Sequence, residues 1–153
     1  MIAFNIREAR TEDSGQIIPL AIELFTGDAY TAGDLVENYA EVFEAEWTKL
    51  NFSASLIFVA EMDGGIVGYI KGRIVPWSSP FLSLKNACVV EEFVVESTWR
   101  GQGIGRALMA KFEETVRDDV DRIVLNAGAT NPAVNFYEKA GFRILSYRME
   151  KRF

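Results

Sequence analysis

The chain has 153 residues, 49% of them hydrophobic and 25% charged, a balance expected of one soluble globular domain spanning residues 1–153 with a full-sized core. Its 16 basic and 22 acidic residues leave a net charge of −6, which argues against nonspecific nucleic-acid binding and favours a cationic partner. Histidine is absent and Cys88 is the one cysteine, so imidazole catalysis, histidine or thiolate metal sites and an internal disulfide are excluded, and no metal is expected.

The opening Met1-Ile2-Ala3-Phe4-Asn5 lacks the basic flank and apolar stretch of a secretory signal. No run of about 18 apolar residues follows, so a cytoplasmic chain that does not cross a membrane is expected. Residues 2–7 alternate as a strand. Thr11-Glu12-Asp13 offers a cap, followed by Ile17, Ile18, Ala21, Leu24 and Phe25 at helical spacing, with Pro19 expected in the first turn or at a bend. Thr26-Gly27-Asp28 breaks that run. A second helix is expected over 32–49, burying Leu35, Tyr39, Val42, Phe43 and Trp47. Glu37, Glu41 and Glu44 stripe it, either as a solvated face or as an attraction for a cationic partner.

Leu56–Glu61 and Ile66–Ile70 read as strands around Met62-Asp63-Gly64-Gly65, a tight hairpin signal. Residues 75–81 form a loop by their prolines and serines, and its aromatics Trp77 and Phe81 suit one wall of a substrate pocket. Asn86–Glu96 is the next long strand. The segment 103–118 is a helix whose stripe Ile104, Leu108, Phe112 and Val116 repeats every four residues. Arg122–Asn126 is a short strand, and Ala133–Lys139 is a short helix stopped at Ala140-Gly141. Phe142–Ser146 and Tyr147–Arg152 supply final strands. This order predicts an α/β (α+β) fold with a mixed sheet and helices on both faces.

Arg100-Gly101-Gln102-Gly103-Ile104-Gly105 stands between the strand ending in Val94-Val95 and the long helix. Glycines at alternate positions leave backbone N–H groups open to an oxyanion, and the helix N-terminus adds its positive end. No Gly-Lys-Ser/Thr follows, so this is not a Walker loop. The last glycine also comes one residue too soon for the dinucleotide fingerprint. Arg100 either contacts phosphate or locks the loop, and Arg106 either joins it or faces solvent.

The loop resembles the acyl-coenzyme A signature Arg/Gln-x-x-Gly-x-Gly/Ala of the GNAT superfamily of N-acetyltransferases, with Arg100, Gly103 and Gly105 at its defined positions. Asn131-Pro132-Ala133-Val134-Asn135-Phe136-Tyr137-Glu138-Lys139-Ala140-Gly141-Phe142 is similar to a second family segment, with Val134 replacing a frequent alanine. The resemblance implies a central mixed, mostly antiparallel sheet of about six or seven strands flanked by about four helices. It implies acetyl-CoA as cosubstrate, its pyrophosphate on the amides of Gly101, Gln102, Gly103, Ile104 and Gly105. It also implies that the main chain of Val94 and Val95 pairs with the pantetheine arm, aided by Asn131. Asn126 helps to orient the arm or the acceptor, and Asn135 fixes the local backbone. A homodimer is compatible with it.

Acyl transfer to an amine needs a base for the ammonium and a proton for the departing sulfur. The resemblance implies Tyr137 as the acid. Glu91 and Glu92 are adjacent in a strand, so alternation sends them to opposite faces. Glu92 is preferred as base and Glu91 is left to the substrate side, with a water chain as the alternative base. Without histidine to activate Cys88, direct transfer to a primary amine of a small molecule or peptide is expected. The competing reading is a noncatalytic acyl-CoA sensor or interaction domain.

Overall fold

The computed structural model describes residues 3–26, 36–49, 54–77, 81, 83–128, 130–151 and 153. In chain order the elements are β1 (Asn5–Glu8), α1 (Ser14–Leu24), α2 (Tyr39–Lys49), β2 (Leu56–Met62), β3 (Gly65–Pro76), β4 (Asn86–Val95), α3 (Ile104–Val116), β5 (Arg122–Leu125) and α4 (Val134–Lys139). The strands lie side by side in that same order, antiparallel from β1 to β4 and parallel between β4 and β5. At the β2–β3 hairpin Asp63 and Gly64 both take positive φ (50° and 80°), the primed turn whose twist matches its strands.

Each sheet face has its own core. The i, i+4 stripe of α3 brings Ile104, Leu108, Phe112 and Val116 onto Phe58, Ala60, Ile70, Cys88 and Val90. Phe112 meets Phe58 edge to face at 6.3 Å. On the other face Ile17, Leu20 and Ala21 of α1 and Trp47 of α2 cover Ile57, Val59, Tyr69 and Val94. The two helices meet through Phe25 and Phe43, whose rings lie 5.0 Å apart. Tyr39 and Val42, expected on the buried side of the second helix, are exposed, while Trp47 and Phe43 face inward. Leu35, the helix start at 32–35 and the break at 27–28 lie outside the described residues.

Five strands replace the expected six or seven among the described residues. The described part of 142–153 has no strand, and Tyr147 and Met149 are 82% and 91% exposed. Alternation identifies the face a strand would bury, but a strand forms only when an edge receives it. No described helix is long and apolar enough to cross a membrane.

Beside β1, Arg7 ties three segments together. Its Nη1 and Nη2 donate to the two Asp13 oxygens at 2.7 and 2.9 Å, and its Nε donates to Glu61 on β2 at 2.5 Å. Asp13 also accepts the Arg10 N–H at 2.7 Å in the turn that starts α1. The Arg7 hydrogen bonds hold the Asp13 carboxyl below its ordinary value of 3.8. A carboxyl depressed in the folded state contributes stability above its unfolded pKa, and that contribution is lost as pH falls through the folded one. Asp13→Asn is therefore expected to lower the urea midpoint at neutral pH, with the gap to the parent closing as the pH drops below about 4. Phe112→Ala, which empties the centre of the α3 core, is expected to cost about 3–5 kcal/mol in the same measurement.

Candidate active site

The site begins where the sheet opens. β4 and β5 pair from Ala87↔Arg122 to Val90↔Leu125 and no further. Beyond it, Glu92–Val95 keep their pairing to β3 but have one backbone edge that β5 does not take. Unpaired strand edges are ready to bond another extended chain.

The turn at Arg100–Gly103 follows directly. Gly101 and Gly103 have φ of +79° and +89°, a conformation that side chains disfavour, and a Cβ on either would meet no atom within 4 Å. Gly103 caps α3, and its carbonyl accepts the Ala107 N–H at 3.0 Å. The N–H groups of Ile104, Gly105 and Arg106 thus precede the first intrahelical donor and are left for an anion. The Ile104 side chain is core, so only its main chain can serve. Arg106 is exposed. Arg100 locks the loop: its Nε donates to the Val95 carbonyl at 2.8 Å and its Nη2 to Glu23 of α1 at 3.2 Å. The open strand edge and the amide-lined helix start adjoin, which fits a ligand with an extended amide arm and a phosphate end. Acetyl-CoA has both.

A β-bulge sits at the mouth of this opening. Lys71 pairs with Glu92 and Gly72 with Val90, leaving Glu91 as the extra residue. The bulge reverses the alternation of β4. Cys88 and Val90 face α3 before it, whereas Phe93 and Val95 face α3 after it. Glu91 and Glu92 are accordingly not split between the faces as simple alternation would have them. Lys71 Nζ reaches both, Glu92 Oε1 at 2.8 Å and Glu91 Oε2 at 3.6 Å.

Glu92 is 7% exposed on the α1/α2 side, and the Tyr69 hydroxyl donates to its other oxygen at 2.6 Å. Burial first, and the Glu92 charge second, push the Tyr69 hydroxyl well above the ordinary phenol range, so it remains a donor. Glu91 is more open and accepts from Arg73 Nε at 2.5 Å. On the α3 side, Tyr137 of α4 lies in an aromatic cluster with Phe93 (6.2 Å), Phe136 (5.5 Å) and Phe142 (5.9 Å). Phe136 also stands 3.8 Å from where a Gly105 Cβ would be. The Tyr137 hydroxyl makes no hydrogen bond among the described residues, and burial raises its pKa above 10.0. Glu92 and Tyr137 therefore flank the open edge of β4 from opposite faces of the sheet.

The remaining candidates are more dispersed. Asn131 Oδ1 accepts the Ala133 N–H at 2.8 Å and starts α4, while Asn126 and Asn135 are exposed. Trp77 lies at the far end of β4, where its main-chain N–H bonds the Lys85 carbonyl and its ring receives Arg122 at 5.4 Å. Phe81 is exposed. Cys88 is fully buried and its thiol is pushed up to about 11 by burial, so it stays protonated at neutral pH. Sequence reasoning missed Lys71 and Tyr69. The signal was a lysine inside the apolar run Gly68-Tyr69-Ile70-Lys71-Gly72, opposite a strand with two glutamates.

Residues 21–142 match the family described as Acetyltransferase (GNAT) family. An N-alpha-acetyltransferase of Sulfurisphaera tokodaii is 34% identical over 148 residues, covering 92% of this chain and 80% of that protein. The N-alpha-acetyltransferase of Saccharolobus solfataricus is 32% identical over 147 residues, with 92% and 80% covered. Among solved structures, a predicted acetyltransferase with acetyl-CoA from Clostridium acetobutylicum superposes with a TM-score of 0.76 at 16% identity, covering 98% and 96% of the two chains. That last likeness is one of fold.

The half-buried setting of Tyr137 has a direct spectroscopic consequence. In a pH titration followed by tyrosinate absorbance, the difference between the parent and Tyr137→Phe should have its midpoint above pH 10. A midpoint below that value would contradict the half-buried placement.

Proposed function

Because the chain belongs to the Acetyltransferase (GNAT) family, we propose that it acetylates the α-amino group of a peptide or protein by direct transfer from acetyl-CoA. The observation that carries the reading is the opening of β4 from β5, flanked by Glu92 and Tyr137 and continuous with the amides that start α3. Acetyl-CoA supplies an activated thioester. The main chain of Val94 and Val95 aligns its arm, aided by Asn126, which follows β5, and by Asn131, which starts α4. The amides of Gly101, Gln102, Gly103, Ile104 and Gly105 take its pyrophosphate, and the exposed Arg106 in the first turn of α3 adds a cation. Glu91 lies on the acceptor side of the bulge. Trp77, beyond the Pro76↔Asn86 end of the β3–β4 pairing, and the exposed Phe81 serve as a wall for an extended acceptor.

The choice of an α-amine rests on the relatives and on acid–base arithmetic. A peptide α-amine has a pKa of about 7.7–8.0, so roughly a tenth is neutral at pH 7, against about one in 10³ for a lysine side chain. A carboxylate base therefore has less to do for an α-amine, about a tenth of it already neutral at pH 7, than for a lysine. Glu92 already accepts two hydrogen bonds. Glu92 takes the ammonium proton through a water, and the freed nitrogen lone pair forms the new C–N bond. As the C–S bond breaks, the Tyr137 hydroxyl protonates the sulfur. The second nitrogen proton restores the tyrosine through solvent, and Glu92 returns its proton to water. Nothing in this sequence calls on Cys88.

A panel of acceptors tests the reading, with free-thiol release and product mass as readouts. It comprises short peptides differing in their first residue, their N-blocked forms, a lysine side-chain amine, spermidine and glucosamine 6-phosphate. Turnover confined to free α-amines is expected. Saturable acetyl-CoA binding without product on any acceptor would favour a sensor, and turnover only of the sugar or polyamine would reassign the acceptor. Tyr137→Phe should lower kcat by about 10² while leaving the acetyl-CoA dissociation constant within about twofold.

A further inference from the structure

A lysine and a glutamate paired in a protein interior are usually no more stabilising than two apolar residues of the same volume, because both charges must be stripped of water. Lys71 and Glu92 are such a pair. They are 6% and 7% exposed and 2.8 Å apart, between β3 and β4 under α2. The neighbouring positions on this face, Val94, Val59 and Ile57, are apolar, so a hydrophobic pair would fit the surrounding core. The pair also stands at the bulge where β4 leaves β5, not at an arbitrary point in the sheet.

Its surroundings form a chain of charge that runs from surface to core. Arg73, 56% exposed, donates to Glu91, and Glu91 lies 3.6 Å from Lys71. Lys71 donates to Glu92, and Tyr69, fully buried, donates to the second Glu92 oxygen. The ring of Trp47 from α2 stands 5.1 Å from Lys71 Nζ, a cation–π contact, and meets Tyr69 edge to face at 5.8 Å. Lys71 thus has a second carboxylate within reach, which a purely structural pair does not need.

We propose that Lys71 is a positioning residue for acetyl transfer. It holds the Glu92 carboxylate at the opening, and it shifts its hydrogen bond to Glu91 when Glu92 takes up the acceptor's proton. The inference rests on Glu92 being the base. While Glu92 is ionised the four charged groups sum to zero. When Glu92 is protonated the ammonium of Lys71 would be left buried without a counter-charge, were Glu91 not beside it. A desolvated cation without a partner is costly, so the second carboxylate lowers the free energy of the proton-loaded state. The bulge makes this possible, since only the extra residue in β4 brings two consecutive glutamates to one lysine.

A double-mutant cycle tests it, using Lys71→Met, Glu92→Gln and the pair together, assayed with acetyl-CoA and the free-amine peptide that turns over fastest in the acceptor panel. Glu92→Gln should lower kcat by about 10². Lys71→Met should lower it by a similar factor, and the double variant should lose no more than Glu92→Gln alone, because Lys71 acts through Glu92. The acetyl-CoA dissociation constant should stay within about twofold throughout. Glu91→Gln, at the more open position, provides a readout that does not depend on tolerating a buried substitution. It should lower kcat by about five- to tenfold with both KM values unchanged. Losses that multiply in the double variant, or an unaltered kcat in Lys71→Met or Glu91→Gln, would overturn the role of Lys71 while leaving Glu92 as base. Full turnover by Glu92→Gln would instead remove the base assignment itself.

Discussion

A strand in the middle of a sheet that loses one neighbour has backbone groups with nowhere to bond, and the rest of this molecule is arranged around one such place. Among the described residues β4 is paired on both sides from Ala87 to Val90 and on one side only from Glu92 to Val95. The pairing between β2, β3 and β4 holds the strand rigid, so the open edge keeps its shape without a partner. α3 packs beneath the same strand and puts its amide-bearing end beside the opening. Helices α1 and α2 cover the other face and enclose the polar cluster around Glu92. Hydrogen-bonding capacity that the sheet does not use internally is thereby turned toward a ligand.

The two faces are chemically unlike. The α3 side of the opening is aromatic, with Phe93, Phe136, Tyr137 and Phe142 sharing ring contacts. The α1/α2 side is ionic, with Tyr69, Lys71, Glu91 and Glu92 joined by hydrogen bonds and charge. An apolar setting keeps a phenol protonated, and the Tyr137 hydroxyl is raised above its ordinary value for that reason. One strand therefore separates a phenol from a buried carboxylate. In the proposed reaction this separation lets a chain without histidine supply an acid and a base at one opening.

Much of this was legible in the sequence because it depends on local rules. The alternate glycines before Ile104, the four-residue stripe of α3 and the Asp63-Gly64 hairpin each follow from backbone preference and periodicity. What could not be read depends on pairing between distant segments. The bulge at Glu91 is invisible to alternation, since nothing at that residue marks it as extra; the parity reversal appears only once β3 is laid alongside. Lys71 looks like a solvent-facing residue of a half-buried strand until Trp47 from α2 covers it. The apolar alternation after Phe142 fails in the opposite way, naming a strand face that no edge receives among the described residues.

The two hydrogen bonds made by Arg100 have a thermodynamic meaning for ligand capture. By joining the carbonyl that ends β4 to a carboxylate on α1, it fixes the glycine turn from both sides before anything binds. Glycine-rich segments ordinarily surrender a great deal of backbone freedom when a ligand orders them, and that loss subtracts from affinity. Here the ordering is done during folding and its cost is charged to the global stability of the protein. An anion that meets the amides at the start of α3 therefore finds the turn already ordered, and its binding need not supply that entropy.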